Sequence, residues 1–125
     1  MKKIIETKNA PAPIGPYSQA VLSGNTLYTS GQIAMDPITG RLIMESIEAE
    51  TKQVMGNMKA VLTEAGMTFE HVIKASIFIS DMDNFESING VYNQYFSSDY
   101  PARETVEVAR LPKDVNVEIS MIAVK

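Results

Sequence analysis

Two side chains near the C-terminus carry most of the chemistry this sequence offers, Arg103 and Glu118. A guanidinium presents its N–H donors as a planar fork, and a carboxylate ligand meets it through paired charged hydrogen bonds worth about 1.5–3 kcal/mol each once water is excluded. In a chain with 15 acidic against 11 basic residues, an arginine at the mouth of a strand, after Pro101 and Ala102, is a candidate anion clamp. A carboxylate turned inward from a strand can order a water or take its proton. Glu118 holds such a position in the run Val115–Val124, where the face it shares with Asn116 and Ser120 turns apolar at Ile122 and Val124. Its other reading is an ion pair with Arg103 or Arg110, and residue types alone leave the two level.

Little else is equipped for catalysis. The chain has no cysteine, which removes disulfides, thiolate nucleophiles and cysteine zinc sites together. His71 is the only histidine; at the start of a strand it reads as a solvated or capping residue. One histidine makes no histidine-rich metal site, and no phosphate-binding or dinucleotide-binding glycine motif is present. A net charge of −4 gives no basic patch for nucleic acid. The N-terminus, MKKIIETKNAP, is too short in apolar residues for a signal-peptide core, and nothing later approaches a membrane span, so the expected location is the cytoplasm.

The elements that must position these residues follow from periodicity. At 125 residues and 45% hydrophobic, the chain fits one domain, residues 1–125. Lys2–Thr7 reads as a short strand, and Asn9–Pro16 as a stiff ordered loop. Tyr17–Leu22 and Thr26–Ile33 read as a hairpin turning at Ser23-Gly24-Asn25. Gly31, inside Ser30-Gly31-Gln32, marks a bulge, a close approach or a plain packing glycine. Met35–Met44 is a surface loop. Ile47, Thr51, Val54, Met55, Met58, Val61, Leu62 and Ala65 make an amphipathic helix that Gly66 ends. His71–Ser80 is a strand with Ile73, Ala75, Ile77 and Ile79 on one face and Val72 and Phe78 on the other. Asp83 and Glu86 form a capping box for a second helix whose stripe runs from Phe85 to Phe96. Finally Glu104–Arg110, half-buried through Val106 and Val108, and Val115–Val124 pair as a hairpin across Leu111–Asp114, which puts Glu118 on the strand next to the one Arg103 opens.

The order β-β-β-α-β-α-β-β predicts an α+β fold: a six-stranded mixed sheet with two helices. Right-handed crossovers place both helices on one face, provided the strands they join are parallel. The other face, apolar at several positions, calls for self-association.

The motif PARETVEVARLPKDVNVEI closely resembles the C-terminal signature of the RidA family of reactive imine deaminases, and APAPIGPYSQA, LYTSGQIAMDP, NMKAVLTEAG and VIKASIFISDMDNFESIN resemble its pattern in order along the whole chain. The resemblance implies a chorismate-mutase-like fold, a homotrimer with active sites in the clefts between subunits, and hydrolysis of 2-iminobutanoate, 2-iminopropanoate or their enamines to 2-keto acids and ammonia. It implies no metal or organic cofactor. Carried onto this chain, Arg103 clamps the substrate carboxylate and Glu118 positions the attacking water, while Tyr17, Ser30, Gly31 and Asn89 line the cleft. Many members have cysteine where this chain has Thr105, a position that serves if its backbone N–H is what binds the carboxylate. The same family implies two alternatives. One is a regulatory module sensing small 2-keto acids; the other is a ribonuclease or translation inhibitor, which the charge and the single histidine disfavour.

Overall fold

The computed structural model describes residues 1–125. Six strands, β1 (Lys2–Ile5), β2 (Ala20–Ser23), β3 (Thr26–Thr29), β4 (Val72–Ile79), β5 (Ala102–Glu107) and β6 (Val117–Val124), form one sheet in the order β1-β2-β3-β6-β4-β5. Helix α1 (Ile47–Glu64) joins β3 to β4 and α2 (Phe85–Asn93) joins β4 to β5. Only β4 and β5 are hydrogen-bonded in parallel. Because β6 is antiparallel to both β3 and β4, those two also run the same way, so each helix is a crossover between parallel strands and both cover one face.

Local signals set the element ends. The β2–β3 hairpin pairs Ser23 with Thr26 across Gly24-Asn25, and Gly24 takes the positive φ (+61°) that a tight hairpin turn needs at its first central position. Ser46 caps α1 by accepting the Ala49 amide, and Gly66 follows the helix at φ +73°. Val54, Met55, Met58, Val61 and Leu62 of α1 are buried against Val117, Ile119, Met121 and Ala123 of β6 and Ala75, Ile77 and Ile79 of β4. Each large side chain so buried stabilises the fold by about 1.5–3 kcal/mol.

Four expectations are corrected. The chain from Pro101 to Lys125 is no hairpin: β4 lies between β5 and β6, and the turn through Pro112–Asp114 only carries the chain past it. On β5 the half-buried residues are Arg103 and Thr105, while Val106 is 40% exposed and the strand ends at Glu107. A bulge between Val72 and Lys74 turns Val72 into the core and leaves Ile73 at the surface. The Asp83–Glu86 box does not form. Asp81 instead caps a short 3-10 turn, Met82–Asn84, by accepting the Asp83 amide, and α2 ends at Asn93, before Tyr95 and Phe96.

The face away from the helices is uncovered. Ile4, Val21, Tyr28 and Ile122 stand in one register row across β1, β2, β3 and β6, with Ile4 and Tyr28 half-exposed. No helix is long and apolar enough to cross a membrane.

Candidate functional site

The site residues fall into two groups on opposite faces of the sheet. Arg103 pairs in register with Ala75, a core residue, and therefore points to the helix face. There α2 crosses it. Arg103 Nη1 donates to Asn89 Oδ1 at 2.8 Å, and the guanidinium carbon lies 5.0 Å from the Tyr92 ring centre and 5.8 Å from that of Phe85. Phe85, Asn89 and Tyr92 share one side of the helix through spacings of four and three. Arg103 has no carboxylate within ion-pair distance; the ion pairs are Arg41–Glu45, Lys74–Glu104 and Arg110–Asp114. An ordered cation with ring faces and an amide oxygen as its only partners has its charge available for an anion. Asn89, Tyr92, Asn93, Tyr100, Pro101 and Arg103 line a cleft of about 350 Å³ beside it. Thr105 Oγ1 and Tyr92 Oη, both close to this arginine in the fold, are buried without a hydrogen-bond partner. Burial raises the Tyr92 phenol above its ordinary pKa, an effect the Arg103 charge partly opposes.

Glu118 pairs in register with Phe78 and points to the uncovered face. Beside it the chain leaving β3 is pinned in place. Ser30 Oγ donates to the Ser18 carbonyl at 2.5 Å, the Ser30 amide donates to the Gln19 carbonyl at 2.9 Å, and Gln32 exchanges two backbone bonds with Ile119. Gly31, held between them, lies under the Glu118 side chain: a Cβ built there would sit 2.0 Å from Glu118 Oε2. The close approach marked by this glycine is thus a carboxylate. Tyr17 is half-exposed, its hydroxyl accepting the Ile14 amide at 3.4 Å, and it lines a slot together with Gly31. Glu118 has no ion-pair partner: Arg103 is held by Asn89 and Arg110 by Asp114, so the pairings considered for it do not form within the chain. Desolvation raises its carboxyl above the ordinary value.

The sequence reading missed Tyr92 and Phe85 as partners of the arginine. Their spacing about Asn89 was visible, but aromatic residues on a helix stripe read as core. His71 has the capping role expected, Nδ1 accepting the Thr68 amide at 2.9 Å.

The profile of the family described as Endoribonuclease L-PSP matches residues 7–125. The chain belongs to the RidA family. Among its RidA-type relatives is a RutC family protein of Pyrococcus horikoshii, 50% identical over all of this chain and 99% of the other. A Bos taurus 2-iminobutanoate/2-iminopropanoate deaminase is 48% identical over all of this chain and 91% of the other. The crystal structure of E. coli TdcF with bound serine superposes with a TM-score of 0.94 at 44% identity, covering 98% of each chain. These RidA-family names differ in the activity they state.

Proposed function

We propose that this chain is an imine deaminase, hydrolysing short 2-imino acids and their enamine tautomers to 2-keto acids and ammonia. The observation that carries the reading is the unpaired Arg103 guanidinium, oriented by Asn89 and two aromatic rings beside an open cleft. It clamps the substrate carboxylate, with Thr105 contributing its backbone N–H. Glu118, made more basic by desolvation, orients a water and accepts its proton as the oxygen attacks C2. The C=N electron pair moves onto nitrogen, which takes the proton back from Glu118; the carboxylate then carries the proton of the new hydroxyl to that nitrogen as the C–N bond breaks, so the carbinolamine collapses to the carbonyl and ammonia. An imine carbon is electrophilic already, so fixing the acid and the water supplies orientation, and the base adds about 10²- to 10⁴-fold.

Arg103 and Glu118 face opposite sides of one sheet, so a complete site takes Arg103 from one subunit and Glu118, with Tyr17, Ser30 and Gly31, from the next. A homotrimer of chorismate-mutase-like form, closed over the uncovered sheet faces, supplies such clefts. The relative solved with serine, a small carboxylate ligand, supports binding of this class. Ribonuclease chemistry is disfavoured by the −4 charge and by the engagement of the sole histidine in a cap.

The test is a coupled assay in which a dehydratase generates 2-iminobutanoate or 2-iminopropanoate and keto-acid release is followed. Acceleration by the wild type that is absent with Arg103→Ala supports the enzyme. No acceleration, with saturable 2-keto acid binding, identifies the sensing module instead.

A further inference from the structure

Glu50 is 0% exposed and has no cation within ion-pair distance, and the reaction proposed above makes no use of it. It stands in the first turn of α1, where the positive end of the helix dipole opposes its charge. Both of its hydrogen bonds come from one residue far along the chain. The Asn116 amide donates to Oε2 at 2.7 Å, and Asn116 Nδ2 donates to Oε1 at 2.8 Å. A carboxylate has two acceptor oxygens and no donor, so it matches both of these donors, where a glutamine in the same pose matches one. Burial without a cation is costly unless hydrogen bonds replace the lost water, and here the residue that leads into β6 supplies them.

Asn116 is held from its other side as well. Its carbonyl accepts the Ser80 amide at 3.1 Å, and its Oδ1 accepts Ser80 Oγ at 3.3 Å. Ser80 follows the end of β4, so α1, β4 and β6 are tied together at Asn116. Three residues on, Ile119 exchanges backbone bonds of 2.8 and 3.1 Å with Gln32. Glu118 therefore lies on a segment fixed at Asn116 and again at Ile119. The second anchor is main-chain pairing, open to any side chain; the first depends on Glu50. We propose that Glu50 is a positioning residue for Glu118: by gripping Asn116 it fixes the backbone two residues before the glutamate, and so the place from which the Glu118 carboxylate reaches its water. Glu50 approaches from the helix side and Glu118 points to the uncovered face, so the effect passes along the β6 backbone and not by contact. The inference rests on the deaminase reading, in which Glu118 is the base.

The experiment compares wild type, Glu50→Gln and Glu50→Met in the coupled assay, with kcat and KM resolved. Methionine is unbranched and apolar and accepts from neither Asn116 donor, whereas glutamine keeps one acceptor for the Asn116 amide. The expected result is a fall in kcat of about 10²-fold in Glu50→Met, the loss that displacement of a reacting group by about 1 Å causes, with KM unchanged because Arg103 still holds the substrate. Glu50→Gln recovers most of it. A folded Glu50→Met with the kcat of wild type overturns the proposal, and so does a variant in which KM rises while kcat stands, which places the effect at Arg103. If Glu50→Met does not fold by circular dichroism, Asn116→Ala decides. It removes one donor and leaves the backbone bond, so a lower kcat at the same KM supports the grip and an unmoved kcat overturns it. Hydrogen exchange at the Asn116 and Glu118 amides reads the hold on this segment without turnover. A wild type that hydrolyses no imino acid overturns the deaminase reading, and exchange then decides whether Glu50 fixes the segment: faster rates in Glu50→Met than in Glu50→Gln support it, and equal rates overturn it. An active wild type with unmoved variants overturns the role of Glu50 alone.

Discussion

A carboxyl group whose pKa is lifted by desolvation is a better base than one in water and a less comfortable charge. Glu118 is such a group, its folded value raised above the ordinary 4.5. The folded state therefore holds the proton more tightly than the unfolded chain. The stabilising contribution of protonated Glu118 is complete below pH 4.5 and is lost as pH rises through the folded value, so at neutral pH the ionised form works against folding. Glu118→Gln is expected to raise the Tm at pH 7, a gain that disappears by pH 4, while activity falls about 10²- to 10⁴-fold. If Glu118 is the base, the acid limb of kcat/KM, which reports the free enzyme's base, is expected above pH 4.5. At Arg103 the loss is of binding geometry: Arg103→Ala removes two charged hydrogen bonds of about 1.5 kcal/mol or more each, hence about 10²-fold or more in kcat/KM. Lysine at this position keeps the charge without the fork, and its kcat/KM is expected to fall between wild type and alanine.

The elements decide where those side chains point, and here Gly31 is the sharpest test. A Cβ there would overlap the Glu118 carboxylate, so Gly31→Ala must turn the glutamate away. Overpacking of this kind costs about 1–3 kcal/mol in urea unfolding, and displacing a reacting group by about 1 Å costs about 10²-fold in kcat/KM. At Gly31 the sequence left a bulge, a close approach and a packing glycine level, and only the fold selects the close approach; α1 from Ile47 to Gly66 was legible, because period and capping are local properties. Strand adjacency was not. Alternation in Glu104–Arg110 gives the period of a strand but not its buried face, and the short turn before Val115 suits a hairpin. The α2 crossover instead lays β5 parallel to β4 on the sheet edge, which turns Arg103 and Thr105 inward and leaves Val106 out. Glu50 was unreadable for another reason: its partner, Asn116, is 66 residues away, brought to it by the tertiary fold.

At the scale of the whole molecule, the two residues of the proposed site stand on opposite faces of one sheet, and a single chain cannot bring them together. Arg103 lies under α2 on one face of the sheet, and Glu118 lies on the other with β4 between their strands. The uncovered row Ile4, Val21, Tyr28 and Ile122 gives a second copy an apolar surface to meet. Ile122→Lys places an ammonium in that row and is expected to yield a smaller species by light scattering, with kcat/KM falling in step with dissociation, since desolvating an unpaired charge opposes assembly. A sharper consequence concerns mixing. Arg103→Ala subunits keep Glu118, and Glu118→Gln subunits keep Arg103, so each homo-oligomer has every site defective. After joint unfolding and refolding at equal amounts, random assembly brings an intact Glu118 half against an intact Arg103 half in about a quarter of the sites. Activity in the mixture near that fraction of wild type, with each variant alone inactive, identifies a site shared between copies. A mixture no more active than its components means that both halves must come from one chain, which the opposed faces of the sheet do not allow, and the catalytic assignment of this pair then fails.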